Sequence, residues 1–224
     1  MNISGIEKSV FFNKDVNISR YRFFYVGSEF CERKIPNVNE LKKFKGKYVV
    51  LMTPILTNKS IDKIINLVEN CKDIIKEVVI NDIGIFDYLK NKIKINIGRV
   101  LLVNMNYSFN HGIVKRKITN WVNAFEIDPL IIKKGYMFGI SNKKFHLHLP
   151  FSYLGHSKNC SFEKMYSCKL CSDGCVKIKS KIADYVYMCF NAYFLKDISF
   201  DSRKIFINKV TRIVKYNMRI VKNI

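Results

Sequence analysis

Three of the chain's seven cysteines fall within "CKLCSDGC", residues 168–175. The full set is Cys31, Cys71, Cys160, Cys168, Cys171, Cys175 and Cys189, an odd number. The opening "MNISGIEKSVFFNKD" has no apolar leader stretch. Without a secretory context, clustered thiols point to metal binding or catalysis before disulfides. The Cys168–Cys171 pair has the spacing of half a zinc site, but no second CxxC and no HxxxH completes it. Its nearest histidine, His156, is twelve residues before Cys168, so further ligands must come from Cys160 or Cys31. Four thiolates suit tetrahedral zinc or an iron–sulfur cluster. Spacing alone does not choose between them, and a protein without metal is also compatible with it.

Such distant thiols need elements that bring them together. "RYRFFYVGS" (20–28), "KYVVLMTPI" (47–55), "EVVIND" (77–82), "INIGRVLLVN" (95–104), "AFEIDPL" (124–130) and "KKFHLHLPFSYLG" (143–155) read as strands. "SIDKIINLVENCKDII" (60–75) has apolar residues at helical spacing behind Ser60 as N-cap, with Cys71 on the apolar stripe. "IGIFDYLKN" is also expected to be helical, and Cys189 in "YVYMCFNAYF" to be core. Apolar residues Ile207, Val210, Val214, Met218 and Val221 predict a basic amphipathic helix over about 203–222. Short strands alternating with helices mean βα units and a mostly parallel sheet. The expected fold is α/β, an incomplete or irregular TIM-barrel-like domain spanning 1–224. Only five or six strands can be read, so a full eightfold barrel is not expected. Functional residues of such folds gather where strands end. Cys31 follows the first clear strand. Cys160 follows another, with Cys171 and Cys175 soon after, so two strand-end loops can carry four thiolates to one face of the sheet.

Other residues carry weaker signals. Asn81 and Asp82 end a strand ahead of Gly84, where they can touch a ligand or cap the next helix. Gly98–Arg99 suits a carboxylate or phosphate, and Arg99 equally suits a pairing with Asp82 or Glu126. Glu126, on a strand, is a buried acid of structural or catalytic use. His146 and His148 alternate with Phe145, Leu147 and Leu149; they are functional if their face lines the barrel mouth and solvated otherwise.

Five stretches, in order over about residues 20–180, resemble the peptidase U32 (collagenase-like) family: "YVGSEFCERK", "EVVINDIGIFDYL", "INIGRVLLVN", "FEIDPL" and "LPFSYLGHSKNC" with the cysteines after it. The resemblance is greatest to its iron–sulfur branch, accessory proteins of oxygen-independent ubiquinone hydroxylation. It implies a 4Fe-4S cluster on Cys31, Cys160, Cys171 and Cys175, with a shorter interval between Cys160 and Cys171 here, and Cys168 as an extra thiol or substitute ligand. It also implies a role in hydroxylation or a related redox modification, and a paralogous U32 partner subunit. Arg33, Lys34, Lys158 and Lys169 flank these thiols and can offset a cluster's negative charge. Other members of the family modify RNA bases, and zinc-stabilised binding is a further alternative. The family label includes peptidases, yet the chain has no GxSxG, HExxH or Cys–His signature.

A formal charge of +21 reads either as an electrostatic footprint for RNA or, being mostly lysine, as the composition of an AT-rich genome. No run approaches the roughly 20 apolar residues of a membrane-spanning helix. A cytoplasmic location is expected.

Overall fold

Runs of β-branched and aromatic residues set the strands. The computed structural model describes residues 7–11, 21–108, 118–134, 143–157, 175–178, 186–189, 192–196, 210–216 and 220–223, with backbone alone at 7–11, 106–108, 175–178, 189 and 220–223. In chain order the strands are Glu7–Phe11 (β1), Phe23–Gly27 (β2), Tyr48–Met52 (β3), Ile75–Ile80 (β4), Lys94–Ile97 (β5), Val122–Ile127 (β6), Lys144–Leu149 (β7), Phe151–His156 (β8), Cys175–Ile178 (β9), Val186–Cys189 (β10), Ala192–Lys196 (β11), Val210–Lys215 (β12) and Ile220–Asn223 (β13). The helices between them are Val38–Lys42 (α1), Asn58–Asn70 (α2), Phe86–Leu89 (α3), Arg99–Ser108 (α4) and Pro129–Lys133 (α5).

Eight strands, β1 to β7 followed by β12, close into a barrel in sequence order, and every neighbouring pair is parallel. The expected irregular TIM-barrel-like α/β fold is therefore present, with more strands than the sequence reveals. Its irregularity lies in the short connecting helices and in the insertion before β12. That insertion contributes four strands of a second sheet, ordered β13-β9-β10-β11-β8.

Alternation along each strand divides the core in two. Phe24, Val26, Val49, Leu51, Val78, Ile80, Phe125 and Leu147 face outward and pack with Ile64, Leu67 and Val68 of α2 in one cluster. Tyr25, Val50, Met52, Val79 and Val214 face inward and form a second cluster inside the barrel. Cys71 is fully buried in the outer core, as its place on the α2 stripe predicts. Gly27 ends β2 with φ 107°, and a Cβ there would lie 2.5 Å from the Met52 carbonyl oxygen. No larger side chain fits that crossing of backbones.

Four expectations are corrected. Residues 143–155 are not one strand: β7 belongs to the barrel and β8, after Pro150, to the second sheet. The N-cap of α2 is Thr57, one turn before Ser60. Residues 95–104 are not one strand: β5 stops at Ile97, and α4 starts at Arg99. The buried Asn81 side chain accepts the Val100 N–H at 3.0 Å and so caps the new helix. The basic helix over about 203–222 is also absent where the chain is described. Val210–Lys215 and Ile220–Asn223 are strands. The stretch expected to be helical includes Arg212. Arg212 points into the barrel, where Glu77 pairs with it, and the β-branched run "VTRIV" is free to extend. Among the described residues no helix is long and apolar enough to cross a membrane.

Candidate functional site

Beside the inward apolar cluster of Val50, Met52, Val79 and Val214, the barrel interior carries buried polar side chains from one end to the other. Burying so many polar groups is costly unless they pair with one another, and here most of them do so, in three layers.

The lowest layer lies near the strand starts. Arg212 of β12 donates to both oxygens of Glu77 on β4, Nη1 to Oε2 at 3.0 Å and Nη2 to Oε1 at 3.2 Å. Tyr48 donates to Glu77 at 2.7 Å, and Asn96 of β5 donates to Glu77 at 2.8 Å. Arg212 also donates to the Tyr25 hydroxyl oxygen at 3.1 Å, which links this layer to the next. Burial opposes ionisation of Glu77, but the Arg212 hydrogen bonds and charge hold its carboxyl below the usual range.

Glu126 of β6 is the hub of the middle layer and is completely buried. Its Oε1 lies 2.9 Å from His146 Nδ1, and its Oε2 lies 2.6 Å from His148 Nε2. Asn96 donates to it at 3.2 Å, and the Tyr25 hydroxyl lies 3.4 Å from each oxygen. Burial alone would favour the neutral acid; His146 and His148 reverse this and hold Glu126 well below the carboxylate range. Burial, followed by the Glu126 charge, raises the Tyr25 phenol far above its ordinary value.

The upper layer stands where the strands end. His148 Nδ1 is 3.0 Å from the Tyr216 hydroxyl, which donates to Glu29 Oε2 at 3.0 Å. Arg99, with no exposed surface, donates from Nε to the same carboxylate at 3.0 Å, pairs with it again through Nη2, and donates to Tyr216 at 2.7 Å. Its Nη1 donates to the Phe151 carbonyl at 3.3 Å and lies 3.6 Å from Asp128. The Phe30, Phe194 and Tyr216 rings surround the guanidinium, with centroids 5.7, 5.8 and 5.1 Å from Cζ. Burial opposes charge on both Glu29 and Arg99, and their pairing restores it. Phe30 and Phe194 belong to an aromatic cluster with Phe151, Tyr153 and Tyr187, so the second sheet packs over this end of the barrel.

These contacts run unbroken from Glu77 through Arg212, Tyr25, Glu126, His148 and Tyr216 to Glu29 and Arg99. The line holds charges and hydroxyl protons in fixed positions, and its inner residues are closed to solvent. Chemistry with an outside molecule belongs to the ends of the line.

The two histidines thus line the interior, on the face opposite Phe145 and Leu147. Glu126 and Arg99 belong to adjacent layers, but Arg99 pairs with Glu29 and Asp128 rather than with Asp82 or Glu126. Asp82 lies outside the network: its Oδ1 accepts the Gly84 N–H at 2.7 Å and its Oδ2 the Leu56 N–H at 3.0 Å. Asn81 caps α4 and donates to the Thr53 carbonyl at 2.8 Å. Asp82 holds its own turn and the Leu56 loop, and Asn81 ties the end of β4 to Thr53 and to the start of α4.

Cys31 is half-buried just past β2. Ser28 Oγ accepts the Phe30 and Cys31 N–H groups at 3.1 and 3.2 Å and fixes the turn that presents it. The neighbouring Phe30 ring stacks on Tyr153 of β8 at 5.2 Å, and the Tyr153 hydroxyl is 2.5 Å from His156 Nδ1 at the end of that strand. Cys160, Cys168 and Cys171 lie outside the described residues, as do Lys158 and Lys169. Cys175 opens β9, its side chain undescribed, and the Cys189 side chain is likewise undescribed. Among the described residues no group of three or more His, Cys, Asp or Glu side chains is arranged to hold a metal ion.

Glu29, Glu77, Tyr25, Asn96, Arg212 and Tyr216 are the members that sequence reasoning missed. The signal was a polar residue at an inward position of an otherwise apolar strand, as in "KEVVI", "INI" and "VTRIV". Comparison with protein-family models, curated proteins and solved structures finds no match for this chain.

Proposed function

We propose that the chain is an iron–sulfur protein of the kind its U32 resemblance implies, with a 4Fe-4S cluster on Cys31, Cys160, Cys171 and Cys175. It would assist an oxygen-independent hydroxylation or a related redox modification. The observation that carries this reading is the placement of Cys31. Its turn is joined by the Phe30–Tyr153 stack and the Tyr153–His156 hydrogen bond to the end of β8. From there the segment bearing Cys160, Cys168 and Cys171 departs, and it rejoins the sheet at Cys175. The register supports a common edge: His156 pairs with Ala192, Ala192 with Cys189, and Ile220 with Cys175. The chain would thus bring both ends of its cysteine-rich segment to the barrel end where Cys31 stands.

Thiolates are soft donors suited to iron–sulfur clusters. Such a cluster, when bound, supplies electron transfer or activation of an oxygen donor. The chain would contribute the sulfur ligands, with Arg33 and Lys34 close in sequence to Cys31 offsetting their charge. A paralogous subunit is the partner that goes with this reading, and RNA the partner of its alternative, an RNA-base-modifying relative.

The test is anaerobic purification with iron, sulfide and zinc analysis and a visible spectrum. Wild type should be brown, with about four iron and four sulfide per chain, and Cys31→Ser and Cys175→Ser should each lose them. Metal-free wild-type protein, or cysteine variants that keep the full cluster, would refute the assignment. Zinc-stabilised binding is a second reading, favoured by His156: Tyr153 fixes its ring, and with three thiolates it makes a Cys3His set. Colourless protein with one zinc would select it.

A further inference from the structure

The other mouth of the barrel, where the strands start, carries a site of a different kind. A cavity of about 340 Å³ opens there, bounded by Arg22, Phe23, Tyr48, Glu77, Lys94, Asn123, Lys144, His146, Thr211 and Arg212. Its size falls within the range of small-molecule sites. Glu77, His146 and Arg212 are each at least 95% buried and line it from the polar interior of the barrel, whereas Arg22, Lys94 and Lys144 are exposed around it.

The arrangement follows from the strand starts. β2 is preceded by Arg22, β3 by Lys47 and β7 by Lys143; β5 and β7 themselves open on Lys94 and Lys144, and Lys76 is the second residue of β4. Parallel strands in a closed barrel put all their first residues at one end. Basic residues at the starts of β2, β3, β4, β5 and β7, against Glu7 at the start of β1, give this mouth an excess of positive charge. A second opening, lined by Arg22, Lys47, Tyr48, Asp73 and Lys76, adjoins the first through Arg22 and Tyr48.

Among the residues lining the 340 Å³ cavity are the cations Arg22, Lys94, Lys144 and Arg212 and one carboxylate, Glu77. Glu77 is already committed to Arg212, Tyr48 and Asn96. A ligand with several negative oxygens matches the charge, the guanidinium–lysine mixture and the enclosed shape. We propose that this mouth binds a small phosphate-bearing ligand of charge two or more, held by Arg22, Lys94 and Lys144 over a floor of Arg212 and His146. The site is at the opposite end of the barrel from Cys31, which follows the end of β2.

Titration calorimetry with pyrophosphate as probe, at fixed ionic strength on the full chain, tests this. Wild type should bind with a micromolar Kd, and inorganic phosphate should compete more weakly. Lys94→Gln/Lys144→Gln should bind about tenfold or more weakly. Both lysines are exposed, so this variant should keep the wild-type circular dichroism and melting temperature. A short single-stranded RNA is the second arm. If a 5′-phosphorylated oligonucleotide competes and its dephosphorylated form does not, a terminal phosphate is the ligand group, and the site stands. The proposal is overturned if pyrophosphate does not bind, or if the double variant binds as wild type does. It is also overturned if both oligonucleotides compete equally and pyrophosphate acts only as added salt does; the mouth is then a non-specific polyanion surface.

Discussion

Replacing Glu126 by Gln keeps its shape and removes its charge. The carboxylate accepts from both sides of the barrel interior, His146 at 2.9 Å on Oε1 and His148 at 2.6 Å on Oε2. A carboxamide can accept on one side only. If its NH2 faces His146, it also faces the Asn96 amide, a second donor. If it faces His148, that ring must accept at Nε2 and donate from Nδ1 to Tyr216, a rearrangement the Tyr216–Glu29 bond tolerates. The second orientation should win. A hydrogen bond to a charged group contributes about 1.5–3 kcal/mol against about 0.5–1.5 kcal/mol for a neutral one. Two downgraded bonds therefore cost about 2–4 kcal/mol. For a chain of this size each kcal/mol moves Tm by about 2–4 °C, so differential scanning calorimetry should show a fall of roughly 5–15 °C. Glu126→Ala leaves both imidazoles facing a void and should fall further. An unchanged Tm, or a rise, would refute the hub role, since removing a structural hub cannot stabilise the fold. A rise would mean that the charge is retained for chemistry at the expense of stability.

Acid should unfold the protein by the same network. Glu29, Glu77 and Glu126 all have folded-state pKa values below those of the unfolded chain. The unfolded state takes up protons first, so their stabilisation is complete above about pH 4.3 and is lost as pH falls toward the folded values. Chemical denaturation between pH 7 and pH 3 should show a steep decline that Glu29→Gln makes shallower. Gly98→Ala places a Cβ 2.2 Å from Asn81 Oδ1, a clash in a fully buried setting, and should cost at least about 2 kcal/mol in urea unfolding. Paired with Asn81→Ala, the two losses should be far from additive. Burial raises the Cys71 thiol pKa, whereas Cys31 is half-buried. A thiol reagent on the native, metal-free protein should modify Cys31 and spare Cys71, as peptide mass mapping would show.

The sequence alone determined part of the barrel's elements. Apolar runs bounded by Gly27 and Pro54 marked β2 and β3, the 3.6-residue stripe marked α2, and the parallel α/β class followed from their alternation. These signals are local, because side-chain spacing fixes which face of a strand or helix is buried. The same alternation put His146 and His148 on one face but left open whether that face was interior or solvent. Closure of the barrel decided it. β1 and β12, separated by almost the whole chain, become neighbours, and inward residues of six strands then meet across a few ångströms. That meeting makes Arg212, from the stretch expected to be a basic helix, the buried partner of Glu77. It sends Arg99 to Glu29, which follows a different strand and which no spacing rule connects to it. Pairings of this kind depend on which strands are adjacent and in what register, a property of the closed sheet that no single stretch of residues contains.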